Sequence, residues 1–168
     1  MFEAPYSVLS VFEAVNQVYG RKKIQKMIHL LEASGAALPF KYEYHFYGPY
    51  SAELQETINF LVSLEFLTEN KDDDAYVYEI TERGKAFKQT LESHDQAEVN
   101  LNPELLSALS GEKSQFLEMV STYAFLMDSN YTPEEARLKA HELKPHLAGL
   151  LERAIAFYHS KVRIAGAH

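Results

Sequence analysis

At 168 residues, 46% of them hydrophobic and 24% charged, the chain has material for one packed domain, or for a small domain with a helical extension, and is too apolar for wholesale disorder. The net charge is −8 and neither half is basic: residues 1–94 hold nine Lys/Arg against fourteen Asp/Glu (−5), and residues 95–168 hold seven against ten (−3). That balance argues against general affinity for phosphate backbones, and the absence of cysteine excludes disulfides, thiol nucleophiles and thiolate metal sites.

The first ten residues, MFEAPYSVLS, have no basic region and no apolar run, so a signal peptide is not expected. No stretch reaches the roughly 18 apolar residues of a membrane span. A cytoplasmic protein without membrane contact is the expectation.

Residues 5–18 read as a first helix, with Pro5 in its first turn and Val8, Leu9, Phe12 and Val15 at helical spacing. Residues 21–33 form a second, with Ile24, Met27, Ile28 and Leu31 on one face and Gly35 just beyond its end. Residues 41–47 alternate and are rich in aromatics, which predicts an extended segment interrupted by Gly48-Pro49. Tyr44 and Phe46 are expected on one side of it, His45 and Tyr47 on the other. A third helix follows over 51–65, capped by Ser51, with Leu54, Ile58, Leu61 and Val62 as its buried stripe.

A short strand at 66–69, a polar tip at 70–74 and a return strand at 75–80 predict a β-hairpin. Thr81 caps the helix that begins TERGKAF. Residues 95–102 lack periodicity and read as a connector between a domain over 1–94 and C-terminal helices over 103–168. Asn102-Pro103 opens a short helix that Gly111 breaks, and residues 114–128 are apolar nearly all round. Thr132-Pro133-Glu134-Glu135 is a capping box that starts a helix ending near Leu143. Pro145 is expected to open one last helix reaching about Val162.

The fold class is therefore mainly α with a small β-hairpin. Helix, helix, strand, helix, hairpin, helix is the order of a winged helix-turn-helix, here with a C-terminal helical extension packing on it or forming a dimer interface. The run YVYEITERGK at 76–85 resembles the end of the wing in many bacterial winged-helix proteins, where a strand enters Thr-Glu-x-Gly-Lys and a helix. A closer resemblance covers about residues 20–92. GRKKIQK at 20–26, with YGPYSAEL at 47–54 downstream, resembles the YwgA-like group of bacterial proteins and, more distantly, the domain of the SocA and Panacea antitoxins. That resemblance implies a cytoplasmic bacterial protein that works by holding other proteins, and it carries no catalytic residues.

The sequence offers two sets of candidate residues. With its stripe buried, the third helix presents Gln55, Glu56 and Asn59, beside the rings of Tyr47 and Tyr50; these five are the candidates for contact with a protein partner. Gln55 and Asn59, one turn apart, also have the chemistry to read adenine edges, and Arg21, Lys22, Lys23 and Lys26 are the phosphate-contact candidates if DNA is bound. Against DNA, the third helix has Glu53, Glu56 and Glu65 and no Lys or Arg, and the hairpin tip is Asp72-Asp73-Asp74. His141 and His146 stand five apart and miss the spacing that places two ligands on one helix face; His29 is expected to be a buried, hydrogen-bonded histidine. No nucleophile triad, phosphate loop or dinucleotide fingerprint is present. The expectation is a non-enzymatic, cofactor-free regulator that acts by protein–protein interaction and possesses enough apolar helix to form a homodimer. A dimeric DNA-binding regulator is the alternative.

Overall fold

In the computed structural model, residues 2–95 and 97–163 are described; Gln96 of the expected connector, and residues 164–168 at the end of the expected C-terminal helices, lie outside them. The chain is mainly helical with two small antiparallel sheets.

Helix α1 spans Glu3–Val15, shorter than the expected 5–18, because Asn16 adopts φ +69 and breaks the helix. The three residues after it form β1, Gln17–Tyr19, which buries Val18 and pairs antiparallel with a later strand. A three-residue strand whose single buried side chain continues the helical spacing of Val15 leaves no separate signal in the sequence. Helix α2, Arg21–Ala33, begins at Gly20 (φ +90) and buries far more than one stripe: Gln25, Lys26 and His29 are inside along with Ile24, Met27, Ile28, Leu30 and Leu31.

The segment expected to be one interrupted strand is a tight hairpin. Strand β2, Glu43–His45, turns at Phe46-Tyr47 into β3, Gly48–Tyr50, with His45 opposite Gly48, Tyr44 opposite Pro49 and Glu43 opposite Tyr50. Gly48 is the pivot at φ +93, a conformation that strains any other residue, and a Cβ there would crowd Thr122 Oγ1 at 3.2 Å. The turn overturns the expected alternation: Phe46 leaves the ladder and is exposed, instead of sharing a face with the half-buried Tyr44.

Helix α3 is Ala52–Ser63, and Ser51 caps it by accepting from the Leu54 amide at 3.2 Å. Leu54, Ile58 and Leu61 are buried as expected, and Val62 is partly covered. Strand β4, Leu67–Asp72, runs deeper into the polar segment than expected and pairs with β5, Ala75–Ile80, through six residue pairs from Leu67–Ile80 to Asp72–Ala75. Backbone ladder bonds are indifferent to side-chain polarity on an exposed ribbon, and Asp73 supplies the left-handed turn residue at φ +54. The sheet order is β1-β5-β4. Helix α4, Glu82–Asp95, starts where the Thr81 hydroxyl accepts from the Gly84 amide at 2.9 Å.

Helices α5 (Pro103–Ser110), α6 (Ser114–Asp128) and α7 (Pro133–Leu143) form where caps and breakers place them, including the full Thr132–Glu135 capping box. The expected last helix is divided. A 3₁₀ turn spans Pro145–Leu150, α8 spans Leu151–Phe157, and a π turn occupies Tyr158–Val162. The widened turn lets the adjacent Tyr158 and His159 both reach Tyr123, the first by an edge-on ring contact at 5.4 Å and the second by a 3.0 Å hydrogen bond to its hydroxyl.

Helices α2 and α6 are the two central rods. They pack on each other, and α6 is covered further by β3, α7 and α8. The apolar surface of α6 is thus used up within the chain, and one continuous core joins residues of both halves. Among the described residues no helix is long and apolar enough to cross a membrane.

Candidate functional site

The N-terminal turn of α2, the β2–β3 hairpin and the start of α3 enclose a cleft of about 300 Å³. Arg21, Lys22, Gln25 and Lys26 form one wall, His45, Phe46, Tyr47, Gly48 and Tyr50 the other, and Gln55 closes one end. Six of the nine candidate residues of the sequence reading therefore converge on one place. Asn59 stands at its rim, accepting from Arg21 at 2.7 Å and from Gln55 at 3.3 Å. Lys23 turns away to donate to the Ser110 carbonyl at the end of α5 (2.7 Å). Glu56 faces a different, shallow hollow with Phe2, Pro5, Glu53, Thr57 and Phe60.

The basic turn at 21–26 is not a solvated helix start. Arg21 is tied to Glu69 at 2.6 Å and to the Tyr78 hydroxyl at 2.6 Å, while that hydroxyl donates to Glu69. The bonds from Tyr78 and Arg21 hold the Glu69 carboxyl below its ordinary range, and burial with Glu69 as neighbour pushes Tyr78 up to about 12. Lys26, only 2% exposed, donates to the Pro49 carbonyl at 2.7 Å and is too enclosed to meet the backbone of a DNA duplex. Lys22 pairs with Glu118 at 2.6 Å and lies over the Tyr47 ring at 4.9 Å.

Beneath the hairpin lies an ionic cluster that sequence reasoning missed. The Glu118 side chain is 2% exposed; its Oε1 faces Lys22 and its Oε2 lies 2.9 Å from the equally buried Lys144. Burial alone would raise the Glu118 carboxyl, but the two ammonium groups outweigh it and hold it below its ordinary value. Lys144 also donates to the Phe46 carbonyl. The hairpin is thus fastened by a lysine at each side, Lys26 to Pro49 and Lys144 to Phe46. Gln25 adds a two-way bond to the Ser51 backbone, 2.9 Å in each direction. One signal for the cluster was available: Glu118 is the single charge inside an otherwise apolar stretch of α6. Lys144, between a helix end and a proline, left none.

The fastening leaves two rings in water. Phe46 is 83% exposed and Tyr47 58%, and they meet edge to face at 4.9 Å. Tyr50 is half-buried and stacks on His45 at 4.8 Å.

A second recess of about 240 Å³ lies on the other side of α2, between His29, Glu32, Tyr42, Phe125, Asp128 and Ser129. His29 is buried as expected and shares a 2.6 Å hydrogen bond with Ser121; burial, with Lys26 nearby, pushes it down to about 3. Burial pushes Glu32 up to about 7. Glu32 therefore favours folding below pH 4.5, and that contribution is lost as pH rises through 7. His29 acts in the opposite sense, costing stability as pH falls from 6.5 towards 3. Glu32→Gln isolates the first effect. The variant is expected to match the parent at pH 4 and to exceed it by about 1–2 kcal/mol above pH 7, the site being partly solvated. Urea denaturation at both pH values measures this. Among the described residues no group of three or more His, Asp or Glu is arranged to hold a metal ion.

The site and fold define a mainly helical α+β protein with a fastened aromatic hairpin on its surface. No family model matches the chain. Over 153 residues it is 35% identical to the uncharacterized protein YwgA of Bacillus subtilis (strain 168), the match covering 86% of each chain. The chain belongs to the YwgA-like family.

Proposed function

We propose that this protein is a non-enzymatic winged-helix regulator of the cytoplasm that acts mainly by holding a protein partner, as an adaptor or antitoxin-like module, with the Phe46-Tyr47 tip as its anchor. The order α1-β1-α2-α3-β4-β5, with the β2–β3 hairpin inserted between α2 and α3 and β1 joined to the outer hairpin through β5, supports the winged-helix reading. In that reading α3 is the recognition helix and the β4–β5 turn is the wing. The observation that carries the functional reading is the exposure of Phe46 and Tyr47 on a backbone fastened by Lys26 and Lys144. Exposed aromatics whose mounting is already ordered lose little entropy on docking, which is the property of interface anchors.

The alternative, a dimeric winged-helix DNA-binding regulator, is favoured by one observation: Arg21, Asn59 and Gln55 are linked by hydrogen bonds across the α2–α3 face. It is opposed by Glu53 and Glu56 on α3, by Asp72, Asp73 and Asp74 at the wing, and by internal partners for all four candidate cations. Fluorescence anisotropy with random duplex DNA at low and physiological salt is expected to show nothing tighter than roughly micromolar affinity. A tighter, salt-dependent affinity lost in the double variant Arg21→Ala/Lys22→Ala would replace the protein-partner reading with the DNA one.

A further inference from the structure

The cleft beside the hairpin carries an unbalanced charge. Lys22, Lys26 and Lys144 surround one carboxylate, Glu118, in a chain whose net charge is −8. Each Glu118 oxygen lies within ion-pair distance of one lysine, Oε1 at 2.6 Å from Lys22 and Oε2 at 2.9 Å from Lys144. Among the described residues Lys26 has no carboxylate partner within ion-pair distance. Its ammonium has three N–H donors, and the Pro49 carbonyl accepts one. A buried ammonium with donors to spare is costly, and desolvation accordingly pushes Lys26 down to about 8.

Lys26 is one of the residues lining an open cleft whose other wall is aromatic. Gln25 does not compete for an incoming group, because both ends of its amide are spent on the Ser51 backbone. Tyr47 and Tyr50 present ring surface, with Lys22 set over the first. The volume is at the small end of the range of about 300–1,000 Å³ typical of small-molecule sites, and such sites pair apolar walls with a few placed polar groups.

We propose that this cleft binds a small organic anion: a carboxylate or phosphate monoester on an aromatic or apolar body, its charge against Lys26 and Lys22 and its body between Tyr47 and Tyr50. The ligand supplies the negative charge that Glu118 alone cannot give three lysines. Tyr47 is shared with the docking tip, but the cleft needs no protein partner, so the two readings stand or fall separately.

The test is a titration of the ¹⁵N-labelled full chain, followed by amide chemical shifts, with benzoate, phenyl phosphate and uncharged benzyl alcohol. Benzoate or phenyl phosphate is expected to give saturable shifts at Gln25, Tyr47 and Gly48, and the stronger of the two assigns the anion as carboxylate or phosphate. Benzyl alcohol is expected to bind about tenfold more weakly or less, the difference a charge-assisted contact makes. Lys22→Gln is expected to weaken the anion by a similar factor and leave the alcohol unchanged. If that variant does not fold, Tyr47→Ala, at an exposed ring, is expected to weaken both. Absence of saturable shifts with either anion, equal binding of the alcohol, shifts centred away from the cleft, or variants that bind the anion unchanged would each overturn the proposal.

Discussion

Gly84→Ala is expected to destabilise the protein by about 2–3 kcal/mol, although alanine is the better helix former by about 1 kcal/mol. Gly84 sits in the first turn of α4, where its backbone passes over the start of β4. A Cβ there would stand 2.2 Å from the Phe66 carbonyl oxygen, 3.1 Å from its carbon and 3.0 Å from Ile80 Cγ1. Two of these three atoms are backbone and cannot swing aside. The same carbonyl accepts from the Thr81 amide at 3.1 Å, so displacing it also loosens the cap of α4. Gly149→Ala is the control: nothing lies within 4 Å of a Cβ there, and a change within about 0.5 kcal/mol is expected. Equal urea midpoints for the two variants would show that α4 and β4 do not approach as described.

Glu118→Ala is expected to cost about 3–5 kcal/mol at pH 7, the cost of removing one partner from a buried ionic cluster. Lys144, 3% exposed at its side chain, loses its only carboxylate among the described residues, and Lys22 and Lys26 lose the charge that offsets their repulsion. The deficit has a pH signature. Lys26 is pushed down to about 8 from 10.5, so between those values the unfolded chain binds more protons and stability rises with pH. Glu118 is the group holding the Lys26 value up; without it the rise begins at lower pH. The Glu118→Ala deficit is therefore expected to be largest below pH 7, to shrink as pH approaches 8 and to stay at its smaller value above that. It does not vanish, because Lys22 and Lys144 remain. Denaturant unfolding at pH 6, 7.5 and 9 measures it. A deficit under about 1 kcal/mol that does not depend on pH would mean the cluster is solvated.

How far the sequence foretold this follows from the range of each signal. Caps and breakers act within one turn, and Ser51, Thr81, Asn102 and Thr132 each start the helix they were expected to start. The strand β1 was hidden because it exists only by pairing with β5, about sixty residues away, and has one buried side chain to announce it. The π turn in the last helix was hidden because the contacts that accompany it are to Tyr123, on another helix. The site behaved likewise. Arg21, Lys22, Lys26, Tyr47, Tyr50 and Gln55 were visible as residues of interest and do line one cleft. That the cations are held internally was not visible, because Glu69, Pro49 and Glu118 come from β4, β3 and α6. Phe46 was assigned to the wrong side because the turn lies two residues earlier than Gly48-Pro49 suggests.

The measurement closest to the central claim is site-specific photo-cross-linking in bacterial cells expressing the full chain. A photoreactive phenylalanine analogue is placed at Phe46 and, in a parallel culture, at Leu138, which is 63% exposed on α7 and serves as the reference for mere exposure. The docking reading predicts one discrete higher-mass adduct from position 46, none from position 138, and loss of that adduct on Tyr47→Asp with the fold intact. No adduct at 46, the same adducts at both positions, or an adduct indifferent to Tyr47→Asp would contradict it.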